Sequence, residues 1–209
     1  NKLKIIKKND DYLVVTVSDQ GDIDIYSKKQ NKISNSINIQ KDITSLLVDK
    51  NNIYIGYDKG LEKYDLNLNL QQKVFLEHNL TFMNELNKQT LLICSETVCF
   101  QYDKKSLAFI KKIFANTDSI STALIFDENT IITPFGKNQE IALINFKTNE
   151  VTKKIRNDSI NIYSIGLYNE FLGFSDEFNT NNFNKYVNLN TLTINKLDPL
   201  ENFKFDTGL

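Results

Sequence analysis

The chain has 209 residues, of which 41% are hydrophobic and 24% charged, and its formal net charge is -1. No surplus of cations awaits a phosphate backbone, which argues against nucleic acid as a partner. No apolar run approaches the roughly 18 residues of a membrane-spanning helix, and the length suits one domain with a large core.

Four short apolar stretches open the chain, and the pattern then repeats about every 40 residues. In the first unit (about 2–40) Leu3–Ile6, Leu13–Val17 and Ile23–Tyr26 are followed by a polar fourth stretch. Ile23 and Ile25 alternate with Asp22 and Asp24, the period-2 signal of a half-buried strand. In the fourth stretch Ile33, Ile37 and Ile39 are expected on one face, with Ser34, Ser36 and Asn38 on the other. The second unit (42–77) runs Ile43–Val48, Ile53–Tyr57 and Leu61–Tyr64. Asp19-Gln20-Gly21 and Asp58-Lys59-Gly60 each place a glycine where a hairpin needs positive φ.

The third unit (79–116) contains Leu80–Leu86, Leu91–Cys94 and Val98–Tyr102, and Glu77–Leu86 also suits a helical turn. The fourth (119–157) contains Ile120–Phe126, Ile131–Phe135 and Ile141–Phe146, with Gly136-Lys137-Asn138 as a turn. Pro134 predicts a bulge or an early strand end, because its missing N–H removes a ladder bond. The fifth (159–198) contains Ile160–Leu167, Phe171–Phe174 and Tyr186–Leu189. Residues 199–209, with Phe203 and Phe205, are a closing strand or the start of a further blade.

Short strands at this period predict an all-β fold, a single β-propeller domain over 1–209 with about five four-stranded antiparallel blades. The first stretch of each unit is the most continuously apolar and should be covered on both faces. The fourth is polar, as an outer edge should be. The Asp-x-Gly turns and the pairs Tyr64-Asp65 and Tyr102-Asp103 resemble WD40 repeats, which end a third strand with Trp-Asp. Tryptophan is absent and so is the Gly-His dipeptide, so the chain resembles the looser WD40-like or quinoprotein-like propellers. That resemblance implies seven blades more often than five, so the chain is expected to be part of a larger ring or a divergent small propeller. The abundance of Asn, Lys and Ile reads as the coding bias of an AT-rich genome.

Cys94 and Cys99 are the two cysteines. With Glu96-Thr97 as a two-residue turn they stand opposite at a non-hydrogen-bonded position, within disulfide reach. A register slipped by one residue puts them on opposite faces. Their spacing lacks the second pair that zinc needs. His78, the one histidine, reads as a loop residue rather than a catalytic base. Asp19, Asp22 and Asp24 crowd one hairpin without an EF-hand pattern and read as a solvated face, as do Asp176 and Glu177. A single arginine, Arg156, is too few for a sialidase-like site.

The leading functional expectation is a non-catalytic scaffold that binds another protein, with no cofactor. Its candidate contact is the long loop Ser175–Lys185, where Phe178 and Phe183 lie among polar residues. Composition and architecture resemble periplasmic accessory proteins of respiratory enzymes such as nitrate reductase. A periplasmic home would suit the cysteine pair, with the cytoplasm as the alternative. The chain begins at Asn1 rather than Met, which points to a processed or excerpted start. The alternative function is a lactonase-like, metal-dependent hydrolase with a carboxylate site at the channel mouth.

Overall fold

A computed structural model describes residues 2–117, 120, 122–136, 140–155, 162–168, 171–176, 185–191 and 193–196. Among these, the regular structure is all strand. The first sheet holds β1 (Lys2–Lys8), β2 (Asp11–Val17), β3 (Asp22–Ser27) and β4 (Lys32–Asn38). The second holds β5 (Ile43–Val48), β6 (Asn52–Tyr57), β7 (Gly60–Asp65) and β8 (Leu70–Phe75). The third holds β9 (Phe82–Asn87), β10 (Thr90–Cys94), β11 (Val98–Asp103) and β12 (Phe109–Ala115). The fourth holds β13 (Leu124–Ile125), β14 (Thr130–Phe135), β15 (Glu140–Asn145) and β16 (Glu150–Ile155). The fifth holds β17 (Ile162–Tyr168), β18 (Phe171–Asp176), β19 (Lys185–Asn188) and β20 (Thr193–Lys196). Each sheet is an antiparallel meander in chain order. Leading strands of successive sheets lie side by side, β1 by β5, β5 by β9 and β13 by β17, so the fourth strands form the rim. The sheets are the blades of a β-propeller.

Alternation along the strands gives each blade two apolar faces. Ile53 and Ile55 of β6 pack back on Val15, Ile23 and Ile25 of blade one. Tyr54 between them packs forward with Leu61 on Leu91 and Ile93 of blade three. Leu92 and Ile113 meet Ile131 and Ile144 across the next boundary, and Ile132 and Leu143 meet Leu172, Phe174 and Val187 across the last. Each fully buried aliphatic side chain contributes about 1.5–3 kcal/mol. Among the described residues, none of these four clusters joins blade five to blade one.

Asn, Asp and Ser close many of the turns. Third strands end on Ser27, Asp65, Asp103, Asn145 and Asn188, and each side-chain oxygen accepts a backbone N–H from the turn that follows. Asp49, Asn87 and Asp127 do the same after first strands. This is the Asx-turn, in which a short side chain replaces a backbone acceptor. Within the third-to-fourth turns Asn31, Leu68, Leu107 and Asn149 adopt left-handed backbone, with φ of 53°, 64°, 52° and 63°. That conformation costs a leucine about 1–2 kcal/mol. Leu68 and Leu107 offset it by burying their side chains in inter-blade cores.

Several expectations change. Gly21 and Gly136 do take positive φ, at 90° and 75°. In the second hairpin, however, Lys59 is the left-handed residue, at φ 49°. Gly60 is required for space instead, since a Cβ there would lie 2.1 Å from Cε2 of Tyr57. Ile33 does not share a face with Ile37. A bulge between Ile25 and Tyr26 brings Ile33 opposite Tyr26, 56% exposed, while Ile37 stays opposite Ile23 and packs on the core. Leu3 and Ile5 of β1 are exposed, because among the described residues no sheet covers that face. Glu77–Leu86 contains no helical turn, and its strand begins at Phe82. The strand expected over Ile120–Phe126 shrinks to Leu124–Ile125. Ile120 and Ala123 are buried there without sheet pairing, so the apolar run reported burial and not a ladder. Pro134 stays in register opposite Ile141 of β15, and the early end falls on β13, whose pairing stops at Ile132.

Two polar clusters bridge boundaries. In the first, Glu62 is buried and accepts bonds from Lys41 (2.5 Å), Tyr64 (2.6 Å) and Tyr57 (3.1 Å), with Lys73 at 3.4 Å. Lys41 belongs to the connection leaving blade one, and its ammonium also lies 4.1 Å from the centre of the Tyr57 ring. In the second, Lys104 binds Asp49 of blade two at 3.0 Å and Glu85 of its own blade at 2.7 Å.

Burial opposes ionisation of Glu62, but the bonds from Lys41, Tyr64 and Tyr57 outweigh it and hold its carboxyl below the ordinary 4.5. A depressed carboxyl stabilises the fold above its unfolded value and loses that contribution as pH falls through the folded one. Glu62→Ala is expected to lower unfolding free energy at pH 7 by about 3 kcal/mol, because two hydroxyls lose their acceptor and two cations their counter-charge. Urea titration of wild type and variant checks this, and the gap between them should narrow as the pH drops below 4.5.

Candidate functional site

Between blades two and three the shared core opens at the surface as a cleft of about 450 Å³. One wall is the end of β8 and the loop after it, with Phe75, Glu77 and His78. The other is β11 and β12, with Phe100, Tyr102 and Phe109. The floor is apolar and buried, formed by Leu80, Ile93 and Leu107. Local sequence explains both walls. Cys99 and Gln101 point towards blade four, so alternation turns Phe100 and Tyr102 towards blade two. Bulges after Cys99 and after Gln101 re-aim the β12 side chains and bring Phe109 opposite Tyr102. Phe75 ends rim strand β8 with its ring largely exposed.

The aromatic groups form one connected surface. The His78 ring stacks on Phe100 at 5.6 Å with 6° between planes. Phe109 meets Phe100 edge-on at 6.2 Å and Tyr102 at 5.8 Å. Phe75 is 81% exposed and Phe109 57%. Burial, and then the Glu77 carboxylate, push the Tyr102 phenol above its usual range. Lys73 lies 5.0 Å from the Phe75 ring and ties this rim to Glu62. The cleft thus offers apolar area, ring faces, one imidazole and one carboxylate, features a binding surface uses.

Cys94 and Cys99 are opposite one another in the β10–β11 register. Their Cα atoms are 4.1 Å apart, the sulfurs are joined, and both residues are fully buried in the core between blades three and four. Ser95 N–H donates to the Val98 carbonyl at 2.8 Å, which makes Cys94–Cys99 the adjacent non-hydrogen-bonded pair. Cys94 and Ser95 also border the cleft.

His78 is an exposed loop residue whose partner is a ring, not a nucleophile. Asp22 binds Ser18 at 2.8 Å and Asn38 at 2.7 Å, a hairpin closure. Among the described residues no three of His, Cys, Asp and Glu converge as ligands of one metal ion. Ser175 and Asp176 end β18 and Lys185 opens β19, while Phe178, Phe183, Glu177 and Arg156 lie outside the described residues. Sequence reasoning missed the cleft. Its signal was an aromatic residue at the end of a rim strand, Phe75 closing β8 and Phe109 opening β12. It also missed Glu62, a lone acid among the apolar positions of a third strand.

No family model matches the sequence, and no curated protein does. Solved structures do. BamB from Moraxella catarrhalis superposes with a TM-score of 0.69 at 15% identity, over 92% of this chain and 59% of that one. The computationally designed Ika8 protein superposes with a TM-score of 0.67 at 11% identity, over 86% of this chain and 57% of that one. The chain therefore spans less than two thirds of either neighbour, and at these identities what is shared is the propeller fold.

Proposed function

We propose that this propeller is a non-catalytic scaffold that holds a polypeptide partner in the cleft between blades two and three. The observation that carries this reading is the exposure of Phe75 and Phe109 at the mouth of a buried core. A hydrophobic side chain of the partner seats between these rings, over Leu80 and Leu107, and a neighbouring cation faces Glu77. Loops joining second to third strands and blade to blade open on this same end of the molecule, since Ser95 and His78 border one cleft. The connection Ser175–Lys185, with Phe178 and Phe183, joins the second and third strands of blade five, and it supplies a further contact. The narrower reading is an accessory or assembly protein of a periplasmic respiratory enzyme such as a nitrate reductase. It is supported by resemblance of composition and architecture, and by a cysteine pair suited to an oxidising compartment. No observation favours the hydrolase alternative.

Replacing Phe75 and Phe109 together with serine should reduce partner capture at least tenfold, read by cross-linking and mass spectrometry against wild type. Stability should move by no more than about 0.5 kcal/mol, as expected of exposed positions. Undiminished capture would sink the cleft as the contact. The compartment is tested separately by counting thiols on denatured, unreduced protein. None should be free, and reduction should cost about 2 kcal/mol of stability. Two free thiols would remove the argument for an oxidising home.

A further inference from the structure

Acid, ring and cation recur together in this chain. Lys41 binds Glu62 at 2.5 Å and lies 4.1 Å from the centre of the Tyr57 ring. Lys73 reaches Glu62 at 3.4 Å from a place 5.0 Å over Phe75. Lys104 joins Asp49 and Glu85 and stands 5.8 Å from the Tyr54 ring centre. Lys154 joins Glu140 at 3.4 Å and stands 4.9 Å over Phe135. Among the described residues, every lysine that pairs with a carboxylate also faces a ring. The face of an aromatic ring is negative, so ring and carboxylate attract the same cation. The cleft between blades two and three holds two of these three parts. Glu77 borders it with Phe75, Phe100, Tyr102 and Phe109, and no lysine or arginine does. Among the described residues Glu77 forms no ion pair, and the adjacent His78 lies flat on Phe100 instead.

We infer that the polypeptide partner brings the third part, as an arginine whose guanidinium pairs with Glu77 and lies on the rings of Tyr102 and Phe109. This rests on the reading of the cleft as the partner's seat, and it names the group that makes the seat selective for charge. Glu77 and Tyr102 are close enough to interact, since burial and then the Glu77 charge raise the phenol. Tyr102 and Phe109 meet at 5.8 Å with 78° between their planes, so a cation held by Glu77 has two differently oriented rings beside it. Phe109 is 57% exposed and open to a visitor. Glu77 is exposed as well, and that separates the two cationic side chains. An ammonium is compact and strongly hydrated, and it gains little by leaving water at such a rim. A guanidinium is planar and weakly hydrated, stacks on aromatic faces and gives one carboxylate two parallel hydrogen bonds. Leu80 and Leu107 on the floor receive an apolar neighbour of the arginine.

The probe is the peptide acetyl-Gly-Leu-Arg-Gly-amide, compared with peptides in which lysine or citrulline replaces the arginine. Citrulline keeps the planar shape and removes the charge. NMR titration of the full chain reads affinity from the methyl signals of Leu80 and Leu107. The arginine peptide should bind about tenfold more tightly than the citrulline peptide and about threefold more tightly than the lysine peptide. Added salt should narrow the gap between arginine and citrulline. Glu77→Gln should erase most of that gap, and a gap retained in full overturns Glu77 as the pairing group. Suppose arginine and citrulline bind alike, and replacing Phe75 and Phe109 with serine abolishes both. The inferred cation is then overturned while the cleft remains the seat. Equal affinity for lysine overturns arginine as the occupant. If no peptide moves the methyl signals, the cleft reading fails and the inference fails with it.

Discussion

Each blade is a sheet with apolar side chains on both faces, and no blade can satisfy both alone. Every other feature follows from that demand. A four-stranded meander of about 25 paired residues is marginal in water until both faces are covered. Here they are covered in series, so each boundary depends on the blades that flank it and on little else. Such a solid behaves as a one-dimensional stack whose stability is a sum of nearest-neighbour terms. The cleft is the place where this coverage stops short. Blades two and three meet over Leu80, Ile93 and Leu107, and the rings of Phe75 and Phe109 beyond that contact stay exposed.

The third-to-fourth turns serve the same demand. The oxygen of Asp65, Asp103, Asn145 or Asn188 closes the turn locally, without help from another strand. That frees the turn's apolar residue to act as a plug. Leu66 and Leu68, Leu107, Phe146 and Leu189 each enter the core behind their own blade. The left-handed backbone at Leu68 and Leu107 is the cost of aiming the plug, and burial offsets it. Lysines reinforce the arrangement from the side. Lys63 reaches carbonyls of the next turn at Lys104 and Lys105, and Lys111 reaches those at Phe146 and Lys147.

The repeat made most of this legible from sequence. Ile23 and Ile25 alternated as a strand must, the polar fourth stretches lay at the rim, and the register of Cys94 against Cys99 followed from a two-residue turn. What escaped depended on information a local pattern does not hold. A bulge moved Ile33 to the opposite face, and no residue type near it announces an inserted position. Gly60 looked like a turn glycine because the dipeptide fits one, and only the Tyr57 ring above it reveals a packing role. Leu3 and Ile5 read as buried because an apolar run records what a side chain is suited for, not what lies against it. The loop favoured for binding rested on Phe178 and Phe183, which fall outside the described residues, while Phe75 and Phe109 were hidden in strands read as mere edges.

Blades that resemble one another create a hazard of their own, since any forward face could in principle receive any backward face. Aliphatic contacts discriminate poorly among such pairings, because most combinations bury similar area. The group of Asp49, Lys104 and Glu85 discriminates better, because an acid of blade two and a cation of blade three must meet to form it. Seated against a blade without Asp49, Lys104 would lose one of its two carboxylates. That loss favours the native order of neighbours over an exchanged one.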